Sequence, residues 1–215
     1  MFKNIENIIF DIDGTLVNTE KFTVKAFERV LKQLKDEGLL LVNIDEKDIL
    51  KYIGYTIDQI WENLLKTHDK IVINKAIKYL DKHEQDVLND TKEIFFDGVF
   101  EVLKYLKSKN KKLFLLSNCN IHYMELILEK GLKEYIDYPH CAEMYNWKQK
   151  DYVISTFIKE HKTKDFVMIG DRNKDIEAAI KNNVKSIGCN YGYGYQELDG
   201  ADYIIKDIKE LLNLF

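Results

Sequence analysis

Three times in this chain a short apolar run stops abruptly at acidic or small polar residues. Ile8-Ile9-Phe10 runs into Asp11-Ile12-Asp13-Gly14, and Leu113-Phe114-Leu115-Leu116 runs into Ser117-Asn118. Phe166-Val167-Met168-Ile169 runs into Gly170-Asp171-Arg172-Asn173-Lys174-Asp175. Runs of this length, rich in branched and aromatic residues, predict buried strands, and five are legible: 5–10, 113–117, 166–169, 184–188 and 203–205. Helical spacing separates the later ones. Asp97, Val99, Val102, Leu103 and Leu106 predict a capped amphipathic helix, and Met124, Ile127 and Leu128 one that stops at Gly131. Val153, Ile154, Phe157 and Ile158 predict a third, and Ile176, Ala179 and Ile180 a fourth. Strand and helix in alternation call for a doubly wound, Rossmann-like α/β core with a parallel sheet covered on both faces. The carboxyl ends of such strands share one edge, so the polar clusters converge although they are distant in sequence.

The segment from Asn18 to about Leu88 breaks this rhythm with helical periodicity alone. Phe22, Ala26, Phe27, Val30, Leu31 and Leu34 form one stripe. Thr56 and Gln59 form a capping box ahead of Ile57, Ile60, Trp61, Leu64 and Leu65, and Ile73, Ala76, Ile77 and Leu80 form a third stripe. A crossover unit needs only ~30 residues in all, so this much helix predicts an inserted α-helical cap domain above the strand ends. The expected division is an α/β core at 1–16 and 89–215, with the cap at 17–88.

Composition narrows the classes. A chain of 215 residues that is 46% hydrophobic can bury one substantial core with a smaller one appended. Its formal charge of -4, with lysine and glutamate interspersed, leaves no footprint for nucleic acid. No apolar run approaches the ~20 residues that span a bilayer, and the amino terminus does not resemble a secretory signal. Cys119, Cys141 and Cys189 lack the spacing of a disulfide frame or zinc site, which predicts reduced thiols and a cytoplasmic protein. Cys119 has no activating base beside it and reads as core filler. The five histidines show no metal-ligand spacing, and Tyr191 to Tyr195 read as packing around a glycine turn.

Carboxylates are costly to bury unless paired or bound to a cation. Three converging acids with a hydroxyl, an amide and a nearby lysine describe a hard-cation site that also holds an anion. Mg²⁺ prefers oxygen ligands and keeps positions for water and substrate phosphate. Phosphoryl transfer suits such a constellation, because positioning and charge neutralisation supply most of its catalysis. An aspartate can act as nucleophile, and a second carboxylate can protonate the leaving oxygen and later activate water.

Asp11-Ile12-Asp13-Gly14-Thr15-Leu16 resembles the first motif of the haloacid dehalogenase superfamily of phosphohydrolases, DxDGT(L). Leu115-Leu116-Ser117-Asn118 resembles the second motif, and Gly170-Asp171-Arg172-Asn173-Lys174-Asp175 the fourth, GDxxxD. Phe96-Asp97-Gly98-Val99, Asn190-Tyr191-Gly192-Tyr193-Gly194 and Gly200 to Ile205 are similar to further family segments, so the likeness covers nearly the whole chain and is weakest in the cap. It is nearest to phosphoglycolate phosphatase-like proteins with a helical cap. The resemblance implies Asp11 as nucleophile and Asp13 as general acid/base, with Asp13 also reaching Mg²⁺ through its backbone carbonyl. It implies Asp171 as the remaining carboxylate ligand and Asp175 as a supporting ligand or outer acceptor, so the implied metal set is Asp11, Asp13, Asp171 and Asp175. Ser117 and Asn118, with Gly14 and Thr15, would hold the phosphate. The third motif is a lysine, and here the chain departs from the common KPxP with Trp147-Lys148-Gln149-Lys150-Asp151. Lys150 and Lys148 both remain candidates, with helical spacing that starts directly after Lys150 favouring it.

Within the family, dehalogenases lack the second aspartate, so Asp13 favours phosphate ester chemistry. The implied activity is a Mg²⁺-dependent phosphatase acting on a small phosphorylated metabolite, phosphoglycolate- or sugar-phosphate-like, as a monomer or homodimer. A phosphomutase and a non-catalytic phosphometabolite-binding module are the alternatives. Ile53-Gly54-Tyr55-Thr56 resembles the cap loop that dips toward the active site, where Tyr55 could touch substrate; equally, Tyr55 could pack within the cap.

Overall fold

A computed structural model describes residues 2–40, 43–194 and 196–215. The chain divides into two compact units, Met1–Asn18 with Phe95–Phe215, and Thr19–Ile94.

The first unit opens with β1 (Asn7–Phe10), every residue of which is buried. The helical unit follows with α1 (Glu20–Asp36), α2 (Glu46–Lys51), α3 (Ile57–Leu65) and α4 (Lys70–Asp90). The chain then returns to the first unit through α5 (Val99–Ser108), β2 (Lys112–Ser117), α6 (Ile121–Ile127), β3 (Tyr138–Cys141), α7 (Lys150–His161), β4 (Phe166–Gly170), α8 (Asn173–Asn182), β5 (Lys185–Cys189), β6 (Tyr203–Ile205) and α9 (Leu211–Leu214). The six strands are parallel, in the order β3-β2-β1-β4-β5-β6. This order places β1 beside both β2 and β4, so the winding reverses around β1. Open sheets of this kind hold their ligands at the carboxyl ends of the strands flanking that reversal.

Continuous apolar strands need cover on both sheet faces. Ile9, Phe114, Met168, Val153, Phe157 and Ala179 belong to one buried cluster. Phe114 anchors it, stacked on Tyr138 at 4.4 Å between ring centroids and 5.3 Å from Phe157. Truncating a buried Phe of this kind costs about 3–5 kcal/mol.

Three expectations from the sequence need correction. The sheet has a sixth strand, β3, in a segment where the sequence predicted none, because Tyr138-Pro139-His140-Cys141 is short and polar. Proline is tolerated there because β3 is an edge strand that, among the described residues, pairs only with β2. Asp97 does not cap α5: Gly98, at φ 84°, holds the cap position, and the exposed Asp97 carboxylate pairs with Lys209 instead. Gly131, expected to stop a helix, sits at φ 136° inside a wide turn at Leu128–Leu132 that continues α6.

In the helical unit, α1 buries the stripe Phe22, Ala26, Phe27, Val30, Leu31 and Leu34. Phe27 stacks on Trp61 of α3 at 4.7 Å. Gln59 accepts from the Thr56 N–H at 3.3 Å, and Asp69 caps α4 by accepting from Ile71 N–H at 2.9 Å. No helix among the described residues is long and apolar enough to cross a membrane.

Candidate active site

The loop after β1 is built around one carbonyl. The N–H groups of Thr15, Leu16 and Val17 all point to the Ile12 oxygen, at 3.3, 3.0 and 2.9 Å, and Gly14 N–H donates to Val17 O at 2.9 Å. This tight winding presents Asp11 and Asp13 at the sheet edge while Ile12 stays buried. Gly14 turns at φ 74°, and a side chain there would overlap the Asp171 carboxylate. Asp11 is held on both sides of its backbone: its N–H donates to Ile169 O of β4, and its Oδ1 accepts from Ile12 N–H at 2.8 Å.

Lys150 is the first residue of α7 and its side chain is almost wholly buried. Its Nζ lies 2.9 Å from Asp11 Oδ1 and 2.6 Å from Asp175 Oδ1. Burial pulls the ammonium pKa down, but Asp11 and Asp175 outweigh that and hold it above the ordinary lysine range. Lys148 is exposed. Asp175, in the first turn of α8, uses its other oxygen to accept from Arg172 N–H at 3.0 Å. It thereby closes the turn that carries Asp171.

Asp171 follows β4 and is fully buried. Its Oδ2 accepts from the N–H groups of Tyr193 at 2.6 Å and Gly194 at 3.3 Å, whereas its buried Oδ1 has no hydrogen-bond partner. Burial, reinforced by Asp175, pushes the Asp171 carboxyl up to about 7. Burial likewise raises Asp11 well above the carboxylate range, with Asp175 and Asp171 adding to it and Lys150 opposing.

Asp11, Asp171 and Asp175 each offer an oxygen, and these oxygens lie within 4.8 Å of one another. Fully ionised, the three carboxylates would exceed the single ammonium of Lys150 by two negative charges in that group. The deficit and the orphaned Asp171 oxygen fit a divalent cation, which would satisfy both; a buried carboxylate oxygen without a partner is otherwise a standing cost. Among the described residues, no other trio of Asp, Glu, His or Cys lies this close.

The remaining expected residues divide. Ser117 is buried at the end of β2, in register with Cys141, and Asn118 is half-buried just beyond it. Thr15 is fully buried, and its carbonyl accepts from Tyr191 OH at 3.0 Å. Asp13 stands outside the close trio and accepts from Tyr123 OH at 2.6 Å. Tyr55 belongs to the helical unit, where it is exposed and meets Tyr52 edge-on at 6.0 Å. Cys119 is half-buried, and Tyr195 lies outside the described residues.

Sequence reasoning missed Tyr123 and the Tyr193 and Gly194 amides. Tyr123 could have been found by continuing the helical spacing back from Met124 and Ile127 to an Asn120 cap, whose Oδ1 accepts from Tyr123 N–H at 2.8 Å. The backbone amides leave no side-chain signal, although the two glycines flanking Tyr193 mark a close approach.

The chain is similar to known proteins over most of its length. Among curated relatives, the Pyrophosphatase PpaX of Oceanobacillus iheyensis is 24% identical, over 98% of this chain and 97% of its own length. The Phosphoglycolate phosphatase of Colwellia psychrerythraea is 28% identical, over 89% and 87%. A crystal structure described as a predicted phosphoglycolate phosphatase from Haemophilus somnus superposes with a TM-score of 0.87 at 19% identity, covering 98% of this chain and 97% of that one. That likeness speaks for the fold. The family model for haloacid dehalogenase-like hydrolases matches residues 8–189, from β1 through β5, and the chain therefore belongs to the haloacid dehalogenase-like hydrolase family.

Proposed function

We propose that this hydrolase is a Mg²⁺-dependent phosphatase that cleaves a small phosphomonoester through an aspartyl-phosphate on Asp11. The observation that carries the reading is the Lys150 ammonium, buried between Asp11 and Asp175, two of the three carboxylates that gather with Asp171. An ammonium fixed against the nucleophile neutralises an incoming phosphate dianion and offsets repulsion from the carboxylates. Mg²⁺ held by Asp11 and Asp171, with the Asp13 carbonyl, would screen the phosphate oxygens during transfer. Asp175, whose two oxygens are taken by Lys150 and the Arg172 amide, acts as the anchor of Lys150.

In the first step an Asp11 carboxylate oxygen attacks phosphorus and the ester P–O bond breaks. Asp13 gives its proton to the departing oxygen. In the second step Asp13, now a carboxylate, takes a proton from water whose oxygen attacks the phosphorus. Inorganic phosphate leaves and the Asp11 carboxylate is restored. Ser117, Asn118 and the Gly14-Thr15 backbone bind the phosphate in this reading. The helical unit serves as the cap that selects the substrate, with Tyr55 assigned to recognition. Relatives named for phosphoglycolate and for pyrophosphate put both ligand types within the range to be tested.

The test is a phosphate-release screen over phosphorylated small metabolites, including phosphoglycolate, sugar phosphates and pyrophosphate, with and without Mg²⁺. Hydrolysis of a monoester that needs the cation and disappears in Asp11→Asn supports the reading. Isomerisation without phosphate release would point to a mutase, and no turnover of any member refutes it.

A further inference from the structure

We infer that Tyr123 is the positioning residue for Asp13, and that its hydroxyl fixes the direction in which the acid–base carboxyl faces during phosphoryl transfer. This rests on the role given to Asp13 above. Tyr123 OH donates to Asp13 Oδ1 at 2.6 Å, in a buried contact between residues 110 positions apart. The length is that of a charge-assisted O–H to carboxylate bond.

The placement of Tyr123 follows from the chain directly after the Ser117-Asn118 loop. Asn120 caps α6 by accepting from Tyr123 N–H at 2.8 Å, and Ile121 N–H donates to Glu143 Oε2 at 2.7 Å. Both contacts pin the first turn of α6, so the Tyr123 ring leaves a fixed backbone. The ring is only 6% exposed, which removes its freedom to swing away. A carboxyl with one oxygen tethered occupies one rotamer rather than several, and acid–base catalysis depends on that alignment. As Asp13 passes its proton to the leaving oxygen it becomes a carboxylate, and the bond from Tyr123 strengthens at that moment. Tyr123 keeps its own proton throughout, and a phenylalanine at this position would fill the same space without the bond.

Tyr123→Phe separates this role from a packing role through the leaving group. With Mg²⁺ present, kcat/KM is measured for an alkyl phosphate, whose leaving oxygen needs a proton, and for 2,4-dinitrophenyl phosphate, whose leaving oxygen does not. We expect a fall of about 10- to 100-fold for the alkyl ester, as for loss of one hydrogen bond to a charged group, and less than about twofold for the aryl ester. In an Asp13→Asn background, Tyr123→Phe should cost nothing further, which a merely structural tyrosine would not obey. Equal losses on both esters, no loss on either, or an additive loss in the double variant overturn the inference while the phosphatase reading stands. A wild-type protein that hydrolyses neither ester overturns both. Unchanged thermal unfolding of Tyr123→Phe certifies its fold, and a variant that fails to fold gives Tyr123 the packing role and overturns the inference.

Discussion

The metal-free protein should lose stability as pH rises, and a divalent cation should restore it. The Asp171 carboxyl is moved from the ordinary value of 3.8 to about 7 by burial and Asp175. Its folded pKa thus lies above its unfolded one, so the folded state binds the extra proton. The stability this contributes is complete below about pH 4 and is lost progressively as pH rises through about 7. A shift of this size corresponds to about 4 kcal/mol across the whole window, of which about 2–3 kcal/mol falls between pH 5 and 7. For a chain of this length that is ~5–10 °C in Tm. Asp11, raised in the same direction, adds to the slope. In the proposed reading Mg²⁺ would bind the ionised carboxylates, so at a hundredfold excess over its Kd it should add about 2.7 kcal/mol at neutral pH and flatten the profile. The assay is thermal unfolding in chelator and in Mg²⁺ between pH 5 and 8.5, with Asp171→Asn as control. The control should show a shallower slope and a weaker cation effect. A metal-free Tm that climbs from pH 5 to 7, or a cation that leaves Tm unmoved, refutes the reasoning.

Lys150→Met removes the charge that bridges Asp11 and Asp175 and leaves both carboxylates buried without it. Breaking a buried pair from one side costs about 3–5 kcal/mol, readable in urea unfolding at pH 7.5, and phosphate release should vanish; wild-type stability would exclude the bridging role. Gly14→Ala places a methyl at φ 74° against the Asp171 carboxylate. It should cost about 1–3 kcal/mol and abolish the Mg²⁺-dependent Tm shift, and a retained shift would show that the loop yields instead of the carboxylate.

The parts of the fold written in side-chain chemistry were legible. Ile8-Ile9-Phe10 and Phe166 to Ile169 announce central strands because such strands are buried on both faces and tolerate little else. β3 was not legible, since an edge strand with one neighbour needs neither a long apolar run nor every N–H, and Pro139 could stand in it. At the site, the helix start at Lys150 placed the lysine that meets Asp11, and the exposed Lys148 lies two residues earlier. The amides of Tyr193 and Gly194 were hidden because any residue carries an N–H; only the folded path brings these two to Asp171.

The glycines explain why that path is so tightly specified. Side chains at Gly14 and Gly192 would both overlap Asp171, and one at Gly194 would strike the Asp171 carbonyl. Two loops separated by nearly the whole length of the first unit therefore close together on one carboxylate. That closure excludes water from Asp171, which raises its pKa and makes the metal-free site costly. It also fixes where the orphaned oxygen sits. Loosening the cradle with a smaller residue is impossible, and filling it displaces the carboxylate. The contacts that make an ionised Asp171 costly are thus the ones a bound cation would offset in the proposed reading, and the pH dependence of unfolding is where that cost is read.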